Sequence, residues 1–308
     1  MQTSANISEG IVESPFLFQS GSGQLTGILS RPAGQEPTHL VLFSHGWSGT
    51  RNGPGNLLTI LARHLSQNGA ASLRFDFGGR GESEGDGLNA TLATMSEDIA
   101  CAARELRRLY PRIPLFLAGM CSGGNVLIGS LEKLPDAAGL LLLSVYPFSD
   151  GDSFGRDTRR LWHLLKSYIR KACTLSTWKR LFNGEASLAR AFRVLLHPLT
   201  RRDESRRHEI GQTSKATAQE SRLEGGKPAP TRFLNALKER KNPALMIYGT
   251  GDPDATAAQK YFGDFAARET LPIQFMTLDG ANHNYSASRW HRELCTACAD
   301  FIGKLVKP

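Results

Sequence analysis

Three side chains of the types that cooperate in covalent catalysis are spaced widely along the chain: Cys121, Asp252 and His283. A thiol becomes a nucleophile when a base takes its proton, and a carboxylate can orient a histidine that acts as that base. Each of the three follows an apolar stretch that predicts a buried β-strand. Parallel strands bring their carboxyl ends together at one edge of the sheet, which is where ligands bind. We therefore expect these three side chains to meet there.

Cys121 lies at the centre of Gly119-Met120-Cys121-Ser122-Gly123, between an apolar run at 114–118 and a helix-like run at 125–131. A strand, a tight turn and a helix, with small residues two positions before and after the centre, form the pattern of a nucleophile elbow. Serine is the usual central residue of such an elbow. Cysteine in its place indicates thiol chemistry.

Ser122 is the alternative nucleophile. Centring the turn on Ser122 would put Met120 where a small residue is needed, so the pattern favours Cys121. A third interpretation is that Cys121 is a buried cysteine that only fills space at a strand end.

Two carboxylates compete for the role of the acid. Asp252 ends the sequence Gly249-Thr250-Gly251-Asp252 after a predicted strand at 243–248, and Asp254 follows two residues later. His283 follows a predicted strand at 272–278. The order nucleophile, acid, histidine is that of the α/β-hydrolases. Taken singly, Asp252 could be an ordinary turn residue and His283 a surface residue; their joint placement favours catalysis.

Apolar runs alternate with amphipathic helical patterns over most of the chain, which predicts an α/β fold with a mostly parallel sheet flanked by helices. Residues 14–31 predict two strands joined at Ser20-Gly21-Ser22-Gly23. The alternation stops at 148–240, where we expect a helical cap insertion with a flexible basic loop at about 200–231. The expected domains are a first core segment at 1–147, the cap, and a second core segment at 241–308.

The 308 residues include five cysteines and no apolar run of transmembrane length. No membrane span is therefore expected. The odd cysteine count and the lack of a signal-peptide pattern predict a cytoplasmic protein. Cys295 and Cys298 form a Cys-x-x-Cys pair, but no second pair completes a zinc site, so we predict that both pack in the core. Neither a metal nor another cofactor is expected.

The net charge of +8 is concentrated in one segment. Residues 151–240 hold twenty Lys and Arg against nine Asp and Glu, a local net charge of +11. A solvated, partly flexible cap explains this excess, and an anionic partner is the alternative. No nucleic-acid-binding motif accompanies the charge, so nucleic acid is not an expected partner.

Five segments together carry a family resemblance: 44–47 (Ser-His-Gly-Trp), 74–83, the elbow, 249–252 and 281–283 (Ala-Asn-His). The chain resembles α/β-hydrolases of the serine-aminopeptidase and lysophospholipase branch over nearly all of 23–306. The elbow and the stretch 178–184 more narrowly resemble hydrolases associated with exosortase and exopolysaccharide systems.

The resemblance implies roles for individual residues. Cys121 would attack a carbonyl carbon, His283 would transfer protons, and Asp252, which completes the Gly-x-x-Asp pattern, would orient the imidazole. The backbone N–H groups of Ser122 and Trp47 would form the oxyanion hole. By the same resemblance, His45 would fix its loop rather than perform chemistry.

A thiolate is itself a good leaving group, so we expect activated esters, thioesters or lactones as substrates rather than peptides. The leading hypothesis is a hydrolase acting on a small-molecule or carrier-bound acyl substrate. An acyltransferase or thioesterase serving an acyl carrier in polysaccharide biosynthesis is the second. The third is a catalytically degenerate relative that acts as a binding protein.

Overall fold

The computed structural model describes residues 5–8, 10–47, 49–87, 90–147 and 232–306. The chain divides into two compact units, of which one comprises residues 1–148 and 230–308 and the other residues 149–229. The second unit lies outside the described residues, as does the loop predicted at 200–231. In the described part of the chain, no helix is long and apolar enough to cross a bilayer.

The described strands form one sheet in the order β1-β2-β3-β5-β4-β6-β7-β8-β9. Their bounds are β1 Ala5–Ser8, β2 Ile11–Ser20, β3 Gly23–Pro32, β4 His39–Ser44, β5 Ala70–Phe75, β6 Leu115–Met120, β7 Ala137–Leu143, β8 Ala244–Gly249 and β9 Ile273–Leu278. In this sheet order, all neighbouring strands from β5 to β9 pair parallel. The pairs β1–β2, β2–β3 and β3–β5 are antiparallel. The hairpin predicted at 14–31 is the β2–β3 pair.

Six described α-helices cover both faces of the sheet: α1 Leu57–Gln67, α2 Leu92–Leu109, α3 Ser122–Ser130, α4 Arg232–Arg240, α5 Ala255–Glu269 and α6 Ser288–Val306. Val41 and Phe43 of β4 pack with α1 and α6, while Leu40 and Leu42 pack with the other four helices. Because successive side chains are buried on opposite faces, the parallel strands are continuously apolar rather than alternating.

Helix α4 belongs to this core, since Leu234 and Leu237 are buried in the cluster that also contains residues of α2 and α3. The core therefore resumes by Arg232, before the boundary at 241 that the sequence pattern predicts. Polar residues dominate α4, and only one face of the helix is apolar, so its composition resembles that of the preceding basic segment.

A buried ion pair ties the antiparallel strands to the parallel part of the sheet. Arg74 Nη2 lies 2.8 Å from Glu13 Oε1, and Arg63 Nη2 lies 2.7 Å from Glu13 Oε2. Ser30 Oγ donates to the same carboxylate at 2.6 Å. Burial tends to raise the pKa of Glu13, but the hydrogen bonds and the arginine charges outweigh it and lower that pKa to about 2.

Candidate active site

Cys121 occupies the sharp turn between β6 and α3, with φ 55° and ψ −129°. Positive φ is uncommon for a residue with a Cβ and marks a turn that its surroundings hold in place. The Cys121 N–H donates to Leu143 O at 2.8 Å, which fixes the turn against the end of β7. Ser122 is the first residue of α3. The residue at the strained turn is therefore Cys121.

Glycines on both sides of the turn leave no room for a side chain. A Cβ on Gly119 would lie 2.8 Å from Gly124 Cα, and a Cβ on Gly123 would lie 2.4 Å from His45 O. Real Cβ atoms do not approach other atoms this closely, so both positions need glycine. These contacts are the physical reason for the small residues that the sequence pattern required around Cys121.

Asp252 and His283 lie side by side, with His283 Nδ1 2.9 Å from Asp252 Oδ2. Their two loops pack closely, because Gly251 N–H donates to Ala281 O at 2.8 Å. A Cβ on Gly249 would lie 2.1 Å from that same Ala281 O. The glycines of the Gly-x-Gly-Asp sequence thus allow the acid and the histidine to approach each other.

Asp254, the alternative acid, lies at the N-terminus of α5 and is buried. Its backbone N–H donates to Asp252 Oδ1 at 3.2 Å. The Asp252 carboxylate therefore has one oxygen directed to His283 and the other held by the backbone of Asp254. In this geometry Asp252 is the partner of the imidazole, and Asp254 supports it.

 The Cys121 thiol faces the imidazole of His283, and each side chain shifts the pKa of the other. Burial raises the pKa of this thiol, but the hydrogen bond and positive charge of His283, together with hydrogen bonds from Ser122, outweigh burial and lower it below the usual range. For His283, burial lowers the pKa, and the hydrogen bonds to Asp252 and Cys121 outweigh it and raise the pKa to about 9. The two shifts favour a thiolate beside an imidazolium at neutral pH.

The Asp252 carboxylate is suited to stabilise that imidazolium. Burial tends to raise its pKa, but the hydrogen bonds from His283 and Tyr146 outweigh burial and lower the pKa below the usual 3.8. Asp252 is therefore ionised at neutral pH, where His283 is charged. The three side chains form a connected line from Asp252 through His283 to Cys121.

The two residues predicted to supply oxyanion donors lie beside each other at the elbow. Trp47 N–H donates to the Ser122 hydroxyl at 2.7 Å. Interactions with the Ser122 backbone and hydroxyl also lower the pKa of the Cys121 thiol. The Ser122 hydroxyl thus links the two expected donors to the thiol, a connection that the sequence pattern alone did not predict.

His45 holds the loop after β4, as the resemblance implied. Its Nδ1 lies 2.8 Å from Gly46 O and its Nε2 accepts from Phe77 N–H at 3.3 Å. The carbonyl at Nδ1 can only accept a hydrogen bond, and the backbone N–H at Nε2 can only donate one. The imidazole is therefore neutral, with its proton on Nδ1. Burial lowers the pKa of His45 in agreement with this neutral form.

The glycine-rich turn at 78–81 folds around a buried carboxylate. Asp76 accepts from Arg51 N–H at 2.6 Å and from Glu82 N–H at 3.1 Å. A Cβ on Gly81 would lie 2.2 Å from Asp76 Oδ2. This turn is therefore structural, and its glycines serve close packing around Asp76.

Tyr146 is a residue at this site that sequence reasoning missed. Its hydroxyl donates to Asp252 Oδ2 and lies 2.6 Å from His283 Nδ1. Its ring stacks on the imidazole, with centroids 5.2 Å apart and planes inclined by 17°. The signal was a polar aromatic residue at the carboxyl end of an apolar run, the same position that identified Asp252.

Cys295 and Cys298 are buried in α6, as the sequence predicted for core residues. Burial raises the pKa of Cys295 to about 12 and that of Cys298 well above the usual value. Thiols held this strongly in the neutral form are poor metal ligands and poor redox groups. Among the residues that the structure describes, no group of three or more His, Cys, Asp or Glu side chains could hold a metal ion.

Comparison with known proteins places this geometry in context. The chain is 30% identical over 140 residues to the quorum-quenching protein AidA of Acinetobacter baumannii, a match that spans 44% of each chain. An esterase of Pyrococcus furiosus aligns with a TM-score of 0.60 at 16% identity, over 96% of this chain and 91% of that one. A thermostable carboxyl esterase of Bacillus coagulans aligns with a TM-score of 0.59 at 16% identity, over 96% and 99% of the two chains.

These structural matches confirm the predicted fold, a mostly parallel sheet flanked by helices as in α/β-hydrolases. At such low identities they establish the fold alone. The model of the family described as serine aminopeptidase, S33 matches residues 35–284, which include every predicted site residue. The chain therefore belongs to the serine aminopeptidase S33 family of α/β-hydrolases.

Proposed function

We propose that this hydrolase cleaves activated acyl substrates with Cys121 as the nucleophile, His283 as the proton carrier and Asp252 as the acid that orients His283. The observation that chiefly supports this proposal is the 2.9 Å contact between Asp252 Oδ2 and His283 Nδ1, beside a thiol whose pKa His283 lowers. The strained turn at Cys121 adds support, because it presents the side chain at the start of a helix, where a thiolate is favoured.

In the first half of the reaction, the Cys121 thiolate attacks the acyl carbon and forms a carbon–sulfur bond. The tetrahedral intermediate then collapses, and the His283 imidazolium donates its proton to the departing group. In the second half, neutral His283 takes a proton from water, which attacks the thioester carbon. The thiolate then leaves, the acid product is released, and the ion pair between Cys121 and His283 is restored.

The developing oxyanion would be stabilised by the backbone N–H groups of Ser122 and Trp47. In the free enzyme the Trp47 N–H is engaged by the Ser122 hydroxyl. Either this hydroxyl turns away when substrate binds, or it stays and donates its own proton to the oxyanion. Loss of one oxyanion donor typically costs about 2.7–4 kcal/mol of transition-state stabilisation.

The thiol nucleophile favours activated esters, thioesters and lactones as the substrate class. With an amide, the thiolate is expelled from the tetrahedral intermediate more readily than the amine, so the reaction tends to reverse. The esterases of similar fold agree with ester chemistry. The partial match to a quorum-quenching protein supports adding bacterial quorum-sensing signals to the compounds to be tested.

A thioesterase or acyltransferase that serves an acyl carrier is the second candidate, and the charge distribution favours it. The net charge of +11 over 151–240 would attract an acidic carrier protein or a phosphate-bearing carrier arm in the cytoplasm. Association with such a carrier would weaken strongly between low and physiological salt. Hydrolysis of small substrates would respond to salt much less.

A substrate panel with two variants tests the proposal. Short p-nitrophenyl esters, acyl thioesters and lactones are offered to the wild-type protein, Cys121→Ala and Ser122→Ala. We expect hydrolysis by the wild type, residual hydrolysis by Ser122→Ala and none by Cys121→Ala. Equal activity in Cys121→Ala would overturn the assignment of the nucleophile, and an inactive wild type across the panel would favour a binding protein.

A further inference from the structure

The Tyr146 hydroxyl shares one carboxylate oxygen with the imidazole of His283. Asp252 Oδ2 accepts from the Tyr146 hydroxyl and also lies 2.9 Å from His283 Nδ1. The phenol oxygen in turn lies 2.6 Å from the same Nδ1. The three groups form a closed triangle in which two donors compete for one acceptor.

The backbone around Tyr146 is built to hold the phenol there. Strand β7 ends at Leu143, earlier than the run at 139–146 predicts, because Ser144 turns the chain with φ 47°. Asn125 Nδ2 then donates to Tyr146 O at 2.7 Å, and the Tyr248 hydroxyl donates to Val145 O at 2.9 Å. With the backbone fixed on both sides, the side chain reaches the acid and the histidine from a set direction.

We propose that Tyr146 is a positioning residue that weakens the hold of Asp252 on the His283 imidazolium and thereby speeds deacylation relative to acylation. The inference rests on the proposed function, because it requires an acyl-enzyme on Cys121. A carboxylate that already accepts a phenol hydrogen bond is a weaker partner for the imidazolium. The imidazolium then loses its proton more readily.

The charged and titratable groups around the imidazole explain why this matters most after acylation. Cys121 faces it from the elbow, Asp252 from the loop before α5, and Tyr146 from the end of β7, while Asp254 acts on the Tyr146 phenol. Acylation removes the thiolate charge, so Asp252 becomes the main anion that stabilises the imidazolium. Burial and the nearby carboxylates raise the pKa of Tyr146, so the phenol remains a donor throughout the working pH range.

The test compares Tyr146→Phe with Tyr261→Phe, a matched change on α5. Rapid mixing with p-nitrophenyl acetate measures acylation from the burst and deacylation from the steady state, and intact mass measures the acylated fraction. For Tyr146→Phe we expect deacylation near pH 7 to slow by roughly three- to tenfold, with its pH midpoint raised by about half a unit to one unit. Acylation changes less, and Tyr261→Phe behaves as the wild type.

A fluorinated tyrosine at position 146 probes the same contact without altering the packing. Its more acidic phenol is a stronger donor, so the deacylation midpoint should move down instead of up. Equal slowing of both steps with an unchanged midpoint would mean that Tyr146 only packs, and would overturn the inference. Hydrolysis that survives in Cys121→Ala would instead overturn the proposed function itself.

Discussion

The hydroxyl of Ser122 accepts a hydrogen bond from the backbone N–H of Trp47, with 2.7 Å between the Trp47 nitrogen and Ser122 Oγ, beside the Cys121 thiol. Ser122 is therefore not the residue at the strained turn, but its side chain contacts the groups around the thiol. In the free enzyme it engages one expected oxyanion donor, and it lowers the pKa of the Cys121 thiol.

Replacing Ser122 by alanine should therefore reduce thiol ionisation without abolishing catalysis. With one hydrogen bond to the thiolate removed, the pKa of Cys121 rises, so alkylation by iodoacetamide begins at higher pH than in the wild type. Ser122→Thr keeps the hydroxyl and serves as the control. An alkylation profile in Ser122→Ala that matches the wild type would show that the hydroxyl does not stabilise the thiolate.

Removing the imidazole should have a larger effect on the same profile. In the wild type, alkylation should already be fast below the usual thiol range, because His283 lowers the pKa of Cys121. In His283→Ala the onset should return towards an ordinary thiol. Acylation of the wild type by esters should slow as the pH rises through about 9, where His283 loses the proton it gives to the leaving group.

Two glycines of helix α3 should respond oppositely to the same substitution. A Cβ on Gly123 would lie 2.4 Å from His45 O, so Gly123→Ala should cost about 1–3 kcal/mol of unfolding free energy by overpacking. A Cβ on Gly129 would meet only ordinary contacts at 3.8 Å or more, and Gly129→Ala should stabilise the helix by up to about 1 kcal/mol. Urea unfolding of both variants measures the difference; equal stabilities would contradict the packing of the elbow.

Substituting Glu13 by glutamine should destabilise the protein by about 3–5 kcal/mol, because the buried Arg74 would lose its charged partner. The folded pKa of Glu13, about 2, lies below its ordinary value of 4.5. Its contribution to stability is therefore fully present above that ordinary value and is lost as the pH falls towards 2. Thermal unfolding between pH 6 and 3 should show a smaller pH dependence in Glu13→Gln, and an unchanged dependence would contradict this account.

Much of the fold could be predicted from the sequence because buried parallel strands leave unmistakable apolar runs. An amphipathic pattern also runs the full length of helix α2, Leu92–Leu109, with its apolar side buried. The apolar run at 139–146 extends three residues past the end of β7 at Leu143, because the left-handed turn at Ser144 leaves the run uninterrupted. A turn made by a serine at positive φ carries no Gly or Pro signal in the sequence.

The candidate site was predictable where each residue follows its own strand, as for Asp252 and His283. The contacts of Tyr146 and of the Ser122 hydroxyl could not be predicted, because each depends on the direction of one side chain after a turn. The start of α4 was hidden for a different reason, since its polar composition continues that of the basic segment before it. The sequence pattern thus predicts the strands and helices but not the contacts between the loops that follow them.

The most direct test of the central claim is intact-mass analysis of the protein after brief treatment with iodoacetamide or, separately, a fluorophosphonate. The wild type, Cys121→Ala, Ser122→Ala and His283→Ala are compared at several pH values. Rapid labelling by iodoacetamide that disappears in Cys121→Ala and slows in His283→Ala is the predicted result. Fluorophosphonate labelling that persists in Cys121→Ala and disappears in Ser122→Ala would contradict the account and make Ser122 the nucleophile.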